Sequence, residues 1–229
     1  MIFGFVDFEA TSVDPKTADI IEWGFVRYCS ELKSIVSIDT ELVNPGCEIP
    51  SEVEKITGIT NKLVKEHGER PFTSLEKFVN LSDRCDYLVA HNGLQYDRPL
   101  IHFQVKKYPM SLLPKPWIDT RIDIPYPEKI STRKLEYLAY EHGFINPLSH
   151  RALTDCLAMW GIFCKYPLEE ILESASTELV KVKANTTFTQ KDLAKKAGFN
   201  WDAEKKIWVK EMRAHQLKKE TYPFQTTIL

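Results

Sequence analysis

The stretch IFGFVDFEAT, residues 2–11, closes an apolar run with two carboxylates, Asp7 and Glu9. Strand side chains alternate faces, so Phe3, Phe5, Asp7 and Glu9 share one side and Ile2, Gly4, Val6 and Phe8 the other. Acids so placed repel one another and lose hydration. Two later segments offer carboxylates in comparable positions. In DYLVAHNGLQYDRP, Asp97 stands two residues before Pro99, at a strand-to-helix junction; in HRALTD, His150 and Asp155 open a late helix. All lie where a mixed sheet presents its strand ends and helix starts to one cleft. Acids that meet there are tolerable with cations among them, and oxygen donors select hard divalent ions, Mg²⁺ or Mn²⁺, over Zn²⁺. A histidine titrating near neutrality is suited to take a proton from water beside them.

Each signal alone also has an ordinary explanation. A D-x-E pair is commonly two strand acids. Asp97 fits a plain helix N-cap, since Pro99 belongs in a first turn. Asp155 has Arg151 four residues before it, the spacing of a surface ion pair. His150 and Asp155, five apart, would diverge by about 140° on one continuous helix. They face one site only if His150 sits ahead of the helix, on the turn after NPLS, and that placement is expected.

The elements that must position these groups follow from pattern. Strands are expected over 2–8, 19–29 and 34–44, joined by short antiparallel connections. Two short helices are expected in PSEVEKITGITNKLV, starting at Pro50-Ser51 and at Thr60, and a third over 73–82. A buried strand at 86–92, a helix at 97–108, a strand at 117–122 and helices at 131–143 and 150–166 complete the pattern. Leading strands followed by alternating helices and strands indicate an α/β fold, a mixed five-stranded sheet flanked by helices. Near residue 174 the pattern changes, and LESASTE (172–178) reads as a linker. Beyond it comes a strand, a short helix capped by Thr189 and Asp192 and ended by Gly198, a hairpin carrying Trp201 and Trp208, and an irregular tail. The expected domains are 1–173 and a small α+β C-terminal module, 179–229. The two tryptophans, seven apart across a turn, either pack a small core or stack on bases.

Residues 179–229 hold 11 Lys and Arg against 5 Asp and Glu, and the rest of the chain 19 against 27. An acidic body with a basic module is compatible with a polyanionic partner or with a merely solvated lysine-rich face. The longest apolar runs are too short to span a bilayer, so no membrane partner is expected. Met1 leads straight into a core-like strand, and the five cysteines are scattered with no CxxC pair. A cytoplasmic, reducing setting is the expectation, with neither a disulfide framework nor a zinc finger.

DFEAT (7–11), VAHNGLQYD (89–97) and HRALTDCLA (150–158), in that order, resemble the three motifs of the DEDDh, DnaQ-like 3′–5′ exonucleases. ITGIT at 56–60 resembles that family's connecting motif, with Lys55 ahead of it where many members carry His. The layout is most similar to exonuclease X-type DNA exonucleases; DFEAT also occurs in the RNA-trimming branch. The resemblance implies a ribonuclease H-like fold and hydrolysis of phosphodiester bonds from a free 3′ end, of DNA or alternatively of RNA. It implies two Mg²⁺ or Mn²⁺ ions held by Asp7, Glu9, Asp97 and Asp155, Asp7 bridging them, with His150 as general base. Contacts to the terminal nucleotide would fall to Ala10, Thr11 and Asn92, beside the strand ends, with Phe8 and His91 structural. A non-catalytic nucleic-acid-binding protein on the same scaffold is the remaining alternative. The resemblance leaves the C-terminal module uncovered.

Overall fold

The computed structural model of the chain describes residues 1–127, 129–130 and 132–229. It comprises two compact units, Met1–Leu168 and Glu169–Leu229.

The first unit opens with β1 (Ile2–Ala10), β2 (Ile20–Cys29) and β3 (Ser34–Leu42). Three helices follow, α1 (Ser51–Thr57), α2 (Asn61–His67) and α3 (Pro71–Ser82). Then come β4 (Tyr87–Ala90), α4 (Asp97–Lys106), β5 (Trp117–Asp119), α5 (Leu135–Glu141) and α6 (Ala152–Phe163). The sheet order is β3-β2-β1-β4-β5. The first three strands are antiparallel, and β4 and β5 run parallel to β1. This is the mixed five-stranded sheet flanked by helices that the pattern predicts.

As the central strand, β1 is covered on both faces. Phe3 and Phe5 meet Phe163 of α6, with ring centroids 5.3 and 5.2 Å away. On the other face Phe8 packs against Phe78 of α3 at 5.0 Å, so it belongs to the core as expected. Strand alternation therefore aims Asp7 and Glu9 toward the α6 side. Gly24 of β2 lies directly opposite Asp7 in the ladder. A Cβ on Gly24 would stand 2.5 Å from the Ala152 carbonyl carbon. The missing side chain lets the first turn of α6 rest on the sheet, backbone to backbone, beside the acids.

Several boundaries differ from the sequence expectation. The helix expected over 150–166 spans only Ala152–Phe163, because His150 takes a positive φ of 62° and Arg151 is extended. The strand expected to reach 122 stops at Asp119, where the Ile122 and Asp123 amides turn back to the Asp119 carbonyl. The helix expected over 131–143 forms over Leu135–Glu141, and Ser131 lies outside the described residues.

In the second unit the supposed linker is mostly helical. α7 (Leu168–Ser176) buries Ile171 and Ser174, three residues apart on one face, and burial of that face holds the segment in a helix. β6 (Leu179–Asn185), α8 (Lys191–Lys196), β7 (Asn200–Asp202), β8 (Ile207–Arg213), α9 (Ala214–Lys219) and β9 (Gln225–Ile228) follow. The four strands form an antiparallel sheet, β7-β8-β6-β9, over a core that includes Val182, Ala194, Phe199 and Met212. The expected irregular tail is α9 and β9; pairing with β6 supplies β9 with an order that its own four residues do not encode. The Thr189–Asp192 cap does not form. A 3₁₀ turn over 188–190 leads into α8, whose N-cap is Gln190. Gly198 does close the helix, at φ 81°. Among the described residues no helix is long and apolar enough to cross a membrane.

Gly24→Ala is expected to push α6 off its seat and cost about 1–3 kcal/mol, as overpacking does. At this chain length that lowers the melting temperature by roughly 2–10 °C, which a circular-dichroism melt measures.

Candidate active site

Three devices bring the acids to the end of β1. The first is the strand itself, which presents Asp7 and Glu9 two residues apart. The second is the loop between β4 and α4. Asn92 takes a φ of 62°, and Asp119 accepts hydrogen bonds from the Asn92 and Leu94 amides at 2.9 and 3.2 Å. A Cβ on Gly93 would lie 2.3 Å from the Ala90 Cβ and 3.4 Å from Asp97 Oδ2, so glycine allows the loop to fold tightly over the strand end. Asp97 is the first residue of α4, with Tyr96 at the N-cap position, and it is buried, 3% exposed, unlike an ordinary solvent-facing cap.

The third device is the docking of α6. Glu22, 3% exposed on β2, receives Arg151 Nε at 3.0 Å and Nη2 at 2.5 Å. Its second oxygen accepts the Ala152 amide at 2.9 Å. One carboxylate thus caps the helix, pairs with its preceding arginine and ties both to the sheet. Arg151 is therefore not the partner of Asp155, contrary to the local spacing. Asp155 instead accepts hydrogen bonds from Asn146 Nδ2 and from the His150 amide, the latter at 3.1 Å.

His150 sits on the turn ahead of α6, as expected. One ring nitrogen and single carboxylate oxygens of Glu9 and Asp155 all lie within 4.8 Å of one another. This trio could hold a metal ion, and its oxygen-rich donor set suits a hard cation. His150 Nε2 is also 3.6 Å from Glu136 Oε1 on α5. Asp7 and Asp97 stand outside the trio but within its electrostatic reach.

The charges report this crowding. Burial lifts the Asp7 carboxyl well above its ordinary range, and Asp97, Asp155, Glu9 and Glu22 lift it further. Burial raises Glu9 to about 8, with Asp155, Glu22 and Asp97 adding to it and Arg151 opposing. Asp97 rises to about 8 through burial and the charge of Asp119. Asp155 rises to about 6 through burial, against its bonds from Asn146 and His150. Arg151 and His150 offset only part of this crowding at Glu9 and Asp155, and a cation bound among the acids would relieve the rest.

Of the residues expected near a substrate, Ala10 is largely buried, 9% exposed. Thr11 Oγ1 accepts the Asp19 amide at 2.9 Å, and Asn92 Oδ1 receives Arg121 Nη1 at 2.8 Å. His91 is structural as expected: it bridges Thr120 Oγ1 and the Arg133 carbonyl at 2.9 and 2.7 Å, and burial lowers it to about 4. Sequence reasoning missed Glu22 and Asp119. Each is an acid inside an otherwise apolar strand, a signal readable in IIEWGF and WID.

A family model described as exonuclease matches residues 5–163, and one for a domain of unknown function (DUF8626) matches 180–228. DNA polymerase III subunit epsilon of Aquifex aeolicus is 30% identical over 175 residues, 74% of this chain and 81% of that protein. The 3′-5′ exonuclease DinG of Bacillus subtilis is 32% identical over 177 residues, 75% of this chain but 18% of DinG. PolC-type DNA polymerase III of Mycoplasma genitalium and of Thermotoga maritima also match; the chain spans only 8% and 14% of their lengths. Among solved structures, E. coli exonuclease I in complex with a dA16 oligonucleotide superposes with a TM-score of 0.63 at 15% identity. That match covers 82% of this chain and 48% of the other, and is a likeness of fold.

Carboxylates with raised folded-state pKa values favour the fold fully below their unfolded values near 4, and that contribution is lost as pH rises through about 8. His91 acts oppositely, but only below about 6.5. In EDTA the melting temperature should therefore fall between pH 6.5 and 8.5, and Asp7→Asn should raise it at the upper pH. Arg151→Ala should cost about 1.5–3 kcal/mol by removing the charged partner of buried Glu22, which keeps only the Ala152 amide, read by denaturant unfolding.

Proposed function

The chain belongs to the DEDDh, DnaQ-like family of 3′–5′ exonucleases, and from that membership we propose that it hydrolyses phosphodiester bonds from the 3′ end of DNA. The observation that carries this reading is the convergence of Asp7, Glu9, Asp97 and Asp155, acids from three segments, beside His150. DNA, rather than RNA, is the substrate assigned because the similar proteins include DNA polymerase III chains.

Asp7, Glu9, Asp97 and Asp155 would hold two Mg²⁺ or Mn²⁺ ions. Bound there, the ions would supply positive charge to the attacking water and to the departing 3′ oxygen. The oxygen donors and their crowded, only partly offset charge fit such ions. His150 takes the proton of the attacking water. Glu136 Oε1 lies 3.6 Å from its Nε2. The turn before α6 leaves the imidazole half exposed, free to adjust when substrate docks. Glu22 and Arg151 position the helix that carries Asp155. Ala10 and Thr11 border the strand end and would meet the terminal nucleotide through their backbone; Asn92 would do so from the opposite loop. In this reading catalysis belongs to the first unit and the second is an appended module. Cys29, Cys85 and Cys156 are free and buried, which supports a reducing, cytoplasmic setting.

End-labelled single-stranded DNA, duplex DNA and RNA, incubated with Mg²⁺, Mn²⁺ or EDTA, test the proposal. Stepwise shortening from the 3′ end of DNA, abolished by EDTA, is expected. His150→Ala should lower kcat about 10²- to 10⁴-fold while leaving oligonucleotide affinity intact. A full rate at neutral pH would remove His150 from the base role.

A further inference from the structure

The second unit contains a groove of about 850 Å³ that the exonuclease reading leaves without a task. We propose that it is a separate binding site for an unpaired DNA strand, in which Trp201 stacks on a base and Lys183 and Lys206 meet the phosphates. The choice of DNA rests on the exonuclease reading; the existence of the site does not.

Trp201 and Trp208 face each other across β7 and β8, ring centroids 5.5 Å apart. Trp208 packs onto the core of the unit, whereas Trp201 is 50% exposed. The pair is thus a core residue carrying a second indole out to the wall of the groove. An indole left half in water is an unused apolar face, and every nucleobase has a matching π surface.

The charges beside it are of one sign. Lys183, Lys191 and Lys206 line the groove, and no acid is among its described lining residues. Elsewhere on the same sheet, Lys181 is paired with Glu211 and Lys210 with Glu220. No ion pair is formed by Lys183 or Lys206 among the described residues. Asn185 and Thr187 add hydrogen-bonding groups to the lining. The segment 179–229 as a whole holds 11 basic residues against 5 acidic ones. Positive charge selects a polyanion, and an accessible indole selects one with open aromatic faces. A duplex keeps its bases stacked on one another and a run of acidic residues alone offers no aromatic face, whereas a single strand carries a phosphate and an open base at every unit and satisfies both demands. The volume lies within the range of about 300–1,000 Å³ typical of ligand sites, room for a base with its flanking phosphates.

The test uses the full chain in EDTA with short oligothymidylate, read by tryptophan fluorescence and by anisotropy of a labelled strand. Of the five tryptophans, Trp23 and Trp117 are buried, 2% and 7% exposed, and Trp160 lies on α6, so quenching is expected from Trp201, with a smaller part from Trp208 beside it in the groove. Trp201→Ala should remove most of the quench and weaken binding about ten-fold. The Lys183→Ala/Lys206→Ala double variant should reduce the slope of log K against log salt by about 1.4. Both variants should hydrolyse a nitrophenyl ester of thymidine monophosphate, a probe of the catalytic unit alone, at the wild-type rate with Mn²⁺. Unchanged affinity and slope in both variants would overturn the proposal. So would polyglutamate displacing the oligonucleotide, which would make the groove a protein site, or a preference for oligouridylate. Failure of the wild-type protein to cleave the ester would instead count against the exonuclease reading and leave the groove standing.

Discussion

Like charge gathered at the end of β1 is the constraint around which the first unit is arranged. Asp7 and Glu9 come from one strand, Asp97 from the start of α4 and Asp155 from the first turns of α6. Burial and mutual repulsion both work against their ionised forms. Much of the surrounding polar structure holds them there regardless. Asp119 fastens the loop that aims Asp97, and Glu22 fastens the helix that carries Asp155. Neither is redundant with ordinary core packing, because apolar contacts fix a helix in general position but not the register of one carboxylate.

The motifs were legible because they obey local rules. Alternation along β1, a proline in a first helical turn and a histidine just ahead of a helix each follow from spacing within a few residues. The same local logic failed where a distant partner competed. Arg151 is four residues from Asp155, yet it turns to Glu22, 129 residues away in sequence. A buried carboxylate holding both a guanidinium and a helix-start amide outweighs a surface pair of about 0.3–0.5 kcal/mol. Glu22 stands out as an acid in an apolar strand, but its partner does not, since nothing near it in the chain declares Arg151.

The second unit shows a similar division. Trp201 and Trp208 were recognisable as cross-strand neighbours from their spacing around a turn, and β7 and β8 pair them directly. Which indole faces the core depends on β6 and on Phe199, and so could not be read from the hairpin alone. The tail was misread because β9 owes its order to β6, about forty residues upstream, rather than to its own composition.

The seat of α6 on Gly24 also bears on the order in which the molecule comes together. The antiparallel meander β1–β3 closes through short loops, and it sets Glu22 opposite Glu9 while Asp97 and Asp155 still lie outside it. The helix arrives from some 130 residues downstream, bringing Asp155 with it, and such distant closures are the slow ones. Electrostatic opposition thus begins with Glu9 and Glu22 in the meander and grows when Asp155 joins them. Mild acid, by neutralising the same carboxylates, eases that final closure, so refolding is favoured under conditions unlike those in which the finished site would operate.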